Sequence, residues 1–381
     1  MTPSQMLDRL MARFDRVNAY FIEKVASQVK KIGKLSQSSI NRMVIMAEMN
    51  ENIAAINAEL AKALQYSMGD LYGLYNEALN NVYTDKRFAR ALQQNPLPQE
   101  TIRRMEHYAE AVSRQTAGTM VNLSNTTAIY KPYANTVDEA ILAVSSGLTD
   151  YKAATRRAIR ELGTNGMQVV YDSGYHRRLD TALRQNIVDG TNQIAQNGSI
   201  MMGEALGYDA YEISAHARSA PDHEPIQGHV FLKEEFEKMQ SEQPFRDIDG
   251  RNYKAVRRAI GEWNCMHIAM SFSTKYSTRK YTNEQLDKWA EDNEKGCMIH
   301  GKHYTMYEAT QLMREIETAS RRQKEVANAA RAAGDDDLRW ECQQKINDLA
   351  RRYNEIVDAS GLTPHRDRMR VEGFRMMKAK K

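Results

Sequence analysis

The chain has 381 residues, with 53 basic and 49 acidic side chains and a formal net charge of +4; that length buries a real core in about two or three domains, and the charge balance excludes a polycation. Its three cysteines, Cys265, Cys297 and Cys342, are too few and too widely spaced for a disulfide framework or a four-cysteine zinc site, which suits a reducing cytoplasm. The opening MTPSQMLDRLMARFDR carries charges within its apolar periodicity, unlike a secretory leader, and no apolar run of about 18 residues marks a bilayer span, so no membrane is expected among its partners.

Leu7, Leu10, Phe14, Val17, Phe21, Val25, Val29 and Ile32 recur every three or four residues and predict a long amphipathic helix. Thr2 is placed to cap it, Pro3 suits its first position, and Gly33 its end. A second helix is expected on the stripe Ile40, Met43, Ala47, Ile53, Ile56, Leu60 and Leu64. Asn95-Pro96-Leu97-Pro98 predicts a loop, because proline lacks the amide donor and pushes its predecessor out of the helical region. Thr136 with Glu139 reads as the capping box of the next helix, and Gly147 and Gly163 as helix stops.

Between about 208 and 276 the texture changes. Three of the eight prolines fall here, helical periodicity fades, and Tyr211-Glu212-Ile213-Ser214 and His229-Val230-Phe231 predict short strands. Helix returns after Tyr281, with Thr282 as its cap. A hairpin of helices at about 304–333 and 336–359 follows, turned by Ala332-Ala333-Gly334-Asp335. The expected fold is mainly α, with long amphipathic helices flanking a small central α+β domain. The divisions fall at 1–135 (N-terminal helices), 136–207 (helical lead-in), 208–276 (central domain) and 277–381 (helical hairpin and basic tail). In that tail Arg366, Arg368, Arg370, Arg375, Lys378, Lys380 and Lys381 face only two acidic residues, Asp367 and Glu372. It reads as a solvated terminus with little apolar content to fold it, or as a contact for nucleic acid or an acidic protein surface.

The densest chemistry lies in the stretch from His216 through Arg218, Ser219, Asp222, His223, Gln227 and Gly228 to His229, and in Trp263-Asn264-Cys265-Met266-His267. His216, His223, Cys265 and His267 are the right atom types for a tetrahedral zinc site. Their spacing argues against one, since Cys-x-His on a helix points its ligands to nearly opposite sides and no Cys-x-x-Cys anchors them. No metal and no cofactor are therefore expected. A nuclease or other hydrolase using His216, Asp222, His223 and His267 is the alternative, but no paired carboxylates, Gly-x-Ser-x-Gly elbow, P-loop or Gly-x-Gly-x-x-Gly turn accompany them. The structural reading pairs Arg218 with Asp222 to pin the loop, lets Gly228 turn the chain, and gives Asn264 and His267 the loop's unpaired backbone groups.

A histidine, then an arginine, an Asp-His pair, Gln-Gly and a strand, closing on Asn-Cys-x-His, resembles the phage minor capsid protein 2 family, itself similar to the Mu F-like head-morphogenesis proteins. Here these are His216, Arg218, Asp222-His223, Gln227-Gly228, Val230-Phe231, Asn264-Cys265 and His267. Tyr171 to Gly174 and Arg178 to Arg184 look like the helix entering this domain, and Gly301 to Gln311 and Asp367 to Val371 like the family's C-terminal helices and tail, so the likeness covers about 136–374. Met266 replaces the usual arginine, Ile226 the usual tryptophan, and Asp249 to Lys254 the usual Gly-rich stretch.

The resemblance implies a non-enzymatic virion component, assembled in the host cytoplasm. It would join portal to major capsid or scaffold proteins in a tailed-phage head and contact packaged DNA through the basic tail. A toxin-like effector is a third reading.

Overall fold

The computed structural model describes residues 3–32, 39–125, 129–146, 151–171, 173–256, 258–261 and 265–377. In chain order it shows α1 (Pro3–Ile32), α2 (Ser39–Tyr83), α3 (Ala89–Gln94), α4 (Gln99–Asn125), α5 (Tyr130–Ser146) and α6 (Tyr151–Asn165). Next come β1 (Gln168–Val170), β2 (His176–Arg178), α7 (Leu179–Ala205), β3 (Ala210–Ile213), β4 (Val230–Leu232), α8 (Lys233–Gln240), β5 (Phe245–Arg246), β6 (Asn252–Tyr253) and β7 (Ala269–Phe272). The chain closes with α9 (Asn283–Lys295), β8 (Cys297–Ile299), β9 (Lys302–Tyr304), α10 (Met306–Ala333) and α11 (Asp336–Ser360). The fold is mainly helical with small antiparallel sheets, as expected. It divides into two compact units, one of residues 1–7, 68–119 and 184–310, the other of 8–67, 120–183 and 311–381.

In the second unit, the α1 stripe Leu10, Phe14, Val17, Phe21, Val25, Val29 and Ile32 is buried as expected, and Met11, Ile22 and Ala26 widen it. The stripe on α2 differs from the expected one. Ile45, Met49, Ile56, Leu60 and Ala63 are buried, whereas Ala47 is exposed, because at about 3.6 residues per turn a position two residues from both Ile45 and Met49 lies on the opposite face. The side chains of Ile40 and Met43 lie outside the described residues, as do Thr2, Gly33 and Gly147.

Thr136 caps nothing. It sits inside α5, its hydroxyl donating to the Pro132 carbonyl at 2.7 Å, and the start signal is Pro132 itself, which needs no amide donor in the first turn. Gly163 is likewise interior to α6, which runs on to Asn165. A Cβ at Gly163 would lie 2.5 Å from Val326 Cα, so this glycine lets α6 approach the backbone of α10; Gly166, at φ +56°, follows the helix end.

Polar groups knit this unit internally. Arg178 at the end of β2 donates to both carboxylate oxygens of Glu325 on α10 at 2.7 and 2.8 Å, and its Nε to Asp180 at 3.2 Å. Asn18 on α1 donates to Glu325 at 3.2 Å and accepts the Met167 amide at 2.9 Å. Arg321 reaches Asp180 at 2.9 Å and Asp15 at 3.3 Å. The segment leading to Arg184 is therefore a β1–β2 hairpin before the helix begins at Leu179, where the sequence points only to helix. The α10–α11 hairpin forms as expected: Gly334 turns at φ +77°, Asp335 caps α11 by accepting the Leu338 amide at 2.9 Å, and Gly361 ends it in the left-handed conformation.

In the other unit, β3 lies between β4 and β7, antiparallel to both. β3 and β4 realise the two predicted strands. The outer amides of β7 are satisfied by α7, since Gln196 Oε1 accepts from Ala269 and Ser199 Oγ from Ser271, each at 2.9 Å. A helix thus covers the sheet edge. On one face Tyr211, Ile213, Ile226, Phe231, Phe236, Met239, Phe245, Val256, Ile260, Cys265 and Ala269 form one apolar core. Thr282 and Gln285 close the expected capping box on α9. The β8–β9 hairpin after it has no counterpart among the expected elements.

Candidate functional site

The sequence cluster folds onto one end of this sheet. The β3–β4 connection is a wide loop whose ends are tied together: Gly228 donates to the Ile213 carbonyl at 2.9 Å, and the His216 amide donates to Gln227 Oε1 at 3.0 Å. Gly228 needs its lack of a side chain twice, for φ +71° and because a Cβ would lie 2.6 Å from Leu286 Cδ2. Inside the loop a turn at 220–227 is held by His223 N to Ala220 O at 3.0 Å and Gln227 N to His223 O at 3.1 Å.

The Arg218–Asp222 pair does not form. Arg218 is exposed at φ +64°, and Asp222 Oδ2 takes the guanidinium of Arg258 instead, at 3.0 Å. Sequence reasoning misses Arg258 because it lies 36 residues away, with no motif to flag it. The residue at 264 lies outside the described residues, so no role is assigned to Asn264.

Cys265 and His267 are not helical. They lie on the irregular chain entering β7, where Ser214 and Ile268 continue the pairing through Ser214 N to Ile268 O at 2.9 Å and Ile268 N to Ser214 Oγ at 3.0 Å. The helical premise behind the spacing argument against a shared site therefore does not hold. His223 is fully buried, and its Nε2 lies 2.7 Å from the Arg258 carbonyl, which can only accept, so Nε2 carries the proton and Nδ1 faces Cys265 Sγ at 3.6 Å. Ser219, also buried, holds His267 Nε2 through its Oγ at 3.2 Å. One donor atom from each of His223, Cys265 and His267 falls within 4.8 Å of the others. His216 remains exposed and stacks on His267, with ring centroids 4.5 Å apart.

Electrostatics follow from this packing. Burial opposes the charge on His223, but Cys265 and the Arg258 carbonyl outweigh it and hold the imidazole above its ordinary range. Burial likewise raises the Cys265 thiol, yet His223 and the Gly261 amide bring it below its usual value. His267 is pushed down to about 3 by burial and by His216 and His223, and is neutral at pH 7. His229, the fourth histidine of the stretch, joins a different group: its Nδ1 lies 3.1 Å from Asp247 Oδ2, which also accepts the Tyr253 hydroxyl at 2.8 Å.

Asp222, 3.9 Å from His223 Nε2, is committed to Arg258, and that nitrogen to a carbonyl, so neither is free to activate water. Two of the departures from the expected pattern also find places: Met266 points into solvent at 59% exposure, while Ile226 fills the core at 1%.

The basic tail is docked, not loose, through residue 377. Met369 is buried, its carbonyl accepts Lys324 Nζ at 2.7 Å, the His365 amide donates to Tyr353 Oη at 2.8 Å, and the Met377 amide to Gln343 Oε1 at 3.3 Å. Arg366, Arg368, Arg370 and Arg375 stay exposed on it; Arg366 also reaches Asn354 at 2.8 Å. Lys378, Lys380 and Lys381 lie outside the described residues. Elsewhere in the same unit a cleft of about 250 Å³ is lined by Lys131, Asn135, Glu161, Gln168 and His176 among others. No member of the cluster or the tail lines it.

The family model for phage minor capsid protein 2 matches residues 3–358. The match takes in the N-terminal helices, which the resemblance at 136–374 leaves out, and stops short of the tail. No curated protein and no solved structure matches the chain.

Proposed function

The chain belongs to the phage minor capsid protein 2 family, and from that premise we propose that it joins portal to major capsid or scaffold proteins while a tailed-phage head assembles in the host cytoplasm, and stays in the virion. It is a phage structural protein, and no described helix is long and apolar enough to cross a membrane. The observation that carries the reading is the match over nearly the whole chain.

The proposed mechanism is binding without chemistry. The region 208–276 serves as the rigid module, because its sheet and core fix the loop that carries His216 to Gly228. The exposed arginines of the docked tail offer DNA phosphate or an acidic head protein a preformed basic strip. An amber mutation in the gene tests this. Heads made without the protein are expected to lack portal or to fail in DNA packaging, and the protein is expected in purified wild-type virions. Normal infectious particles from the amber mutant would refute the role.

A further inference from the structure

We propose that His223, Cys265 and His267 bind one zinc-class divalent ion, which clips the β3–β4 loop to the chain entering β7. This goes beyond the assembly role and does not depend on it. Two imidazole nitrogens and a thiolate sulfur form a borderline-soft donor set, which selects zinc over magnesium or calcium.

Distance supports it. With Zn–S at about 2.3 Å and Zn–N at about 2.0–2.1 Å, a tetrahedral ion holds sulfur and nitrogen about 3.6 Å apart, and Cys265 Sγ stands 3.6 Å from His223 Nδ1. A ring nitrogen of His267 lies within 4.8 Å of one ligand atom from each of the other two residues, within reach of small side-chain rotations.

The outer shell has the form such a site requires. Metal-ligating histidines have their second nitrogen engaged by an oxygen that fixes tautomer and ring orientation. The Arg258 carbonyl does this for His223, and Ser219 Oγ sits at the same kind of position for His267. Arg258 is held in turn by Asp222, so the acceptor is itself anchored. All three ligand residues are buried, on segments already joined by the Ser214–Ile268 pairing. Binding takes Cys265 as the thiolate, its proton leaving to solvent, and three protein ligands leave the fourth tetrahedral position to a water.

Full-length protein stripped with chelator and titrated with cobalt(II) tests the site. One equivalent is expected to give tetrahedral d–d bands and a thiolate-to-cobalt charge-transfer band in the near ultraviolet. Cys265→Ser should abolish the charge-transfer band, and Cys342→Ser, on α11, should keep it. Because Cys265→Ser also puts a hydroxyl into the apolar core, alkylation of the wild-type chain gives a second reading that needs no variant to fold. Zinc at ten times its dissociation constant should slow labelling of Cys265 about elevenfold, with Cys297 and Cys342 unchanged. Absence of the charge-transfer band in folded wild type, or equal Cys265 labelling with and without zinc, would overturn the proposal.

Discussion

Replacing Arg178 by methionine asks what holds the α10 side of the helical unit. Arg178 gives Glu325 two charge-assisted hydrogen bonds at 2.7 and 2.8 Å, with side-chain exposures of 16% and 5%. Without it Glu325 keeps, among the described residues, only Asn18 at 3.2 Å, while Asp180 still has Arg321 and the Thr181 amide at 2.8 Å. An uncompensated buried carboxylate sets the magnitude, so Arg178→Met is expected to cost about 3–5 kcal/mol. The double variant Arg178→Met with Glu325→Leu removes both charges and refills the space with apolar atoms. It is expected within about 2 kcal/mol of wild type, less than the sum of the single variants. Urea unfolding followed by circular dichroism, comparing midpoints at matched slopes, gives the cycle. A single-variant cost under about 1 kcal/mol, or a double variant as unstable as the sum, would refute the reasoning.

Burial raises Asp15 from 3.8 to about 6 against the opposing pull of Arg321, so the fold prefers it neutral and its contribution to stability is lost as pH rises through 6. Wild type measured against Asp15→Asn should therefore lose ground between about pH 4 and 7, and a flat difference across that window would contradict this. For DNA binding, changing Arg366, Arg368, Arg370 and Arg375 to glutamine is cleaner than truncation, since truncation also removes the buried Met369. The log-affinity slope against log salt should become shallower by about 0.9 for each duplex phosphate that the variant no longer neutralises; an unchanged slope would exclude these four arginines as the DNA-binding strip. His223→Ala should lower stability by about 2–4 kcal/mol, because it strands the Arg258 carbonyl and opens a cavity. His216→Ala, at an exposed stacked ring, should stay within about 1 kcal/mol, and comparable thermal shifts for the two would refute the burial argument.

Local chemistry was legible in the residues themselves. The α1 stripe, the Asn95 to Pro98 break, the Thr282 cap, the Gly334 turn and the two strands of the central sheet follow from periodicity, proline's missing donor and side-chain capping, all set within a few residues of chain. Thr136 shows where that reading fails: a hydroxyl inside a helix can bond back to its own backbone, and only the position of the helix start distinguishes this from a cap. Gly163 is another case, since a glycine required by a neighbouring helix looks in sequence like one that ends its own.

The sequence by itself determined the helical class and, through motif order, the family. Only the tertiary structure decided which residues meet. Arg258 displaced Arg218 as the partner of Asp222, Glu325 came 147 residues to Arg178, and Met369 anchored a tail that composition marked as loose. Cys265 and His267 come together because the chain there is not helical, and pairing of the adjoining Ile268 with Ser214, more than fifty residues away in sequence, anchors it. Periodicity carries information over one or two turns of chain, whereas partner choice depends on burial, which is a property of the whole fold.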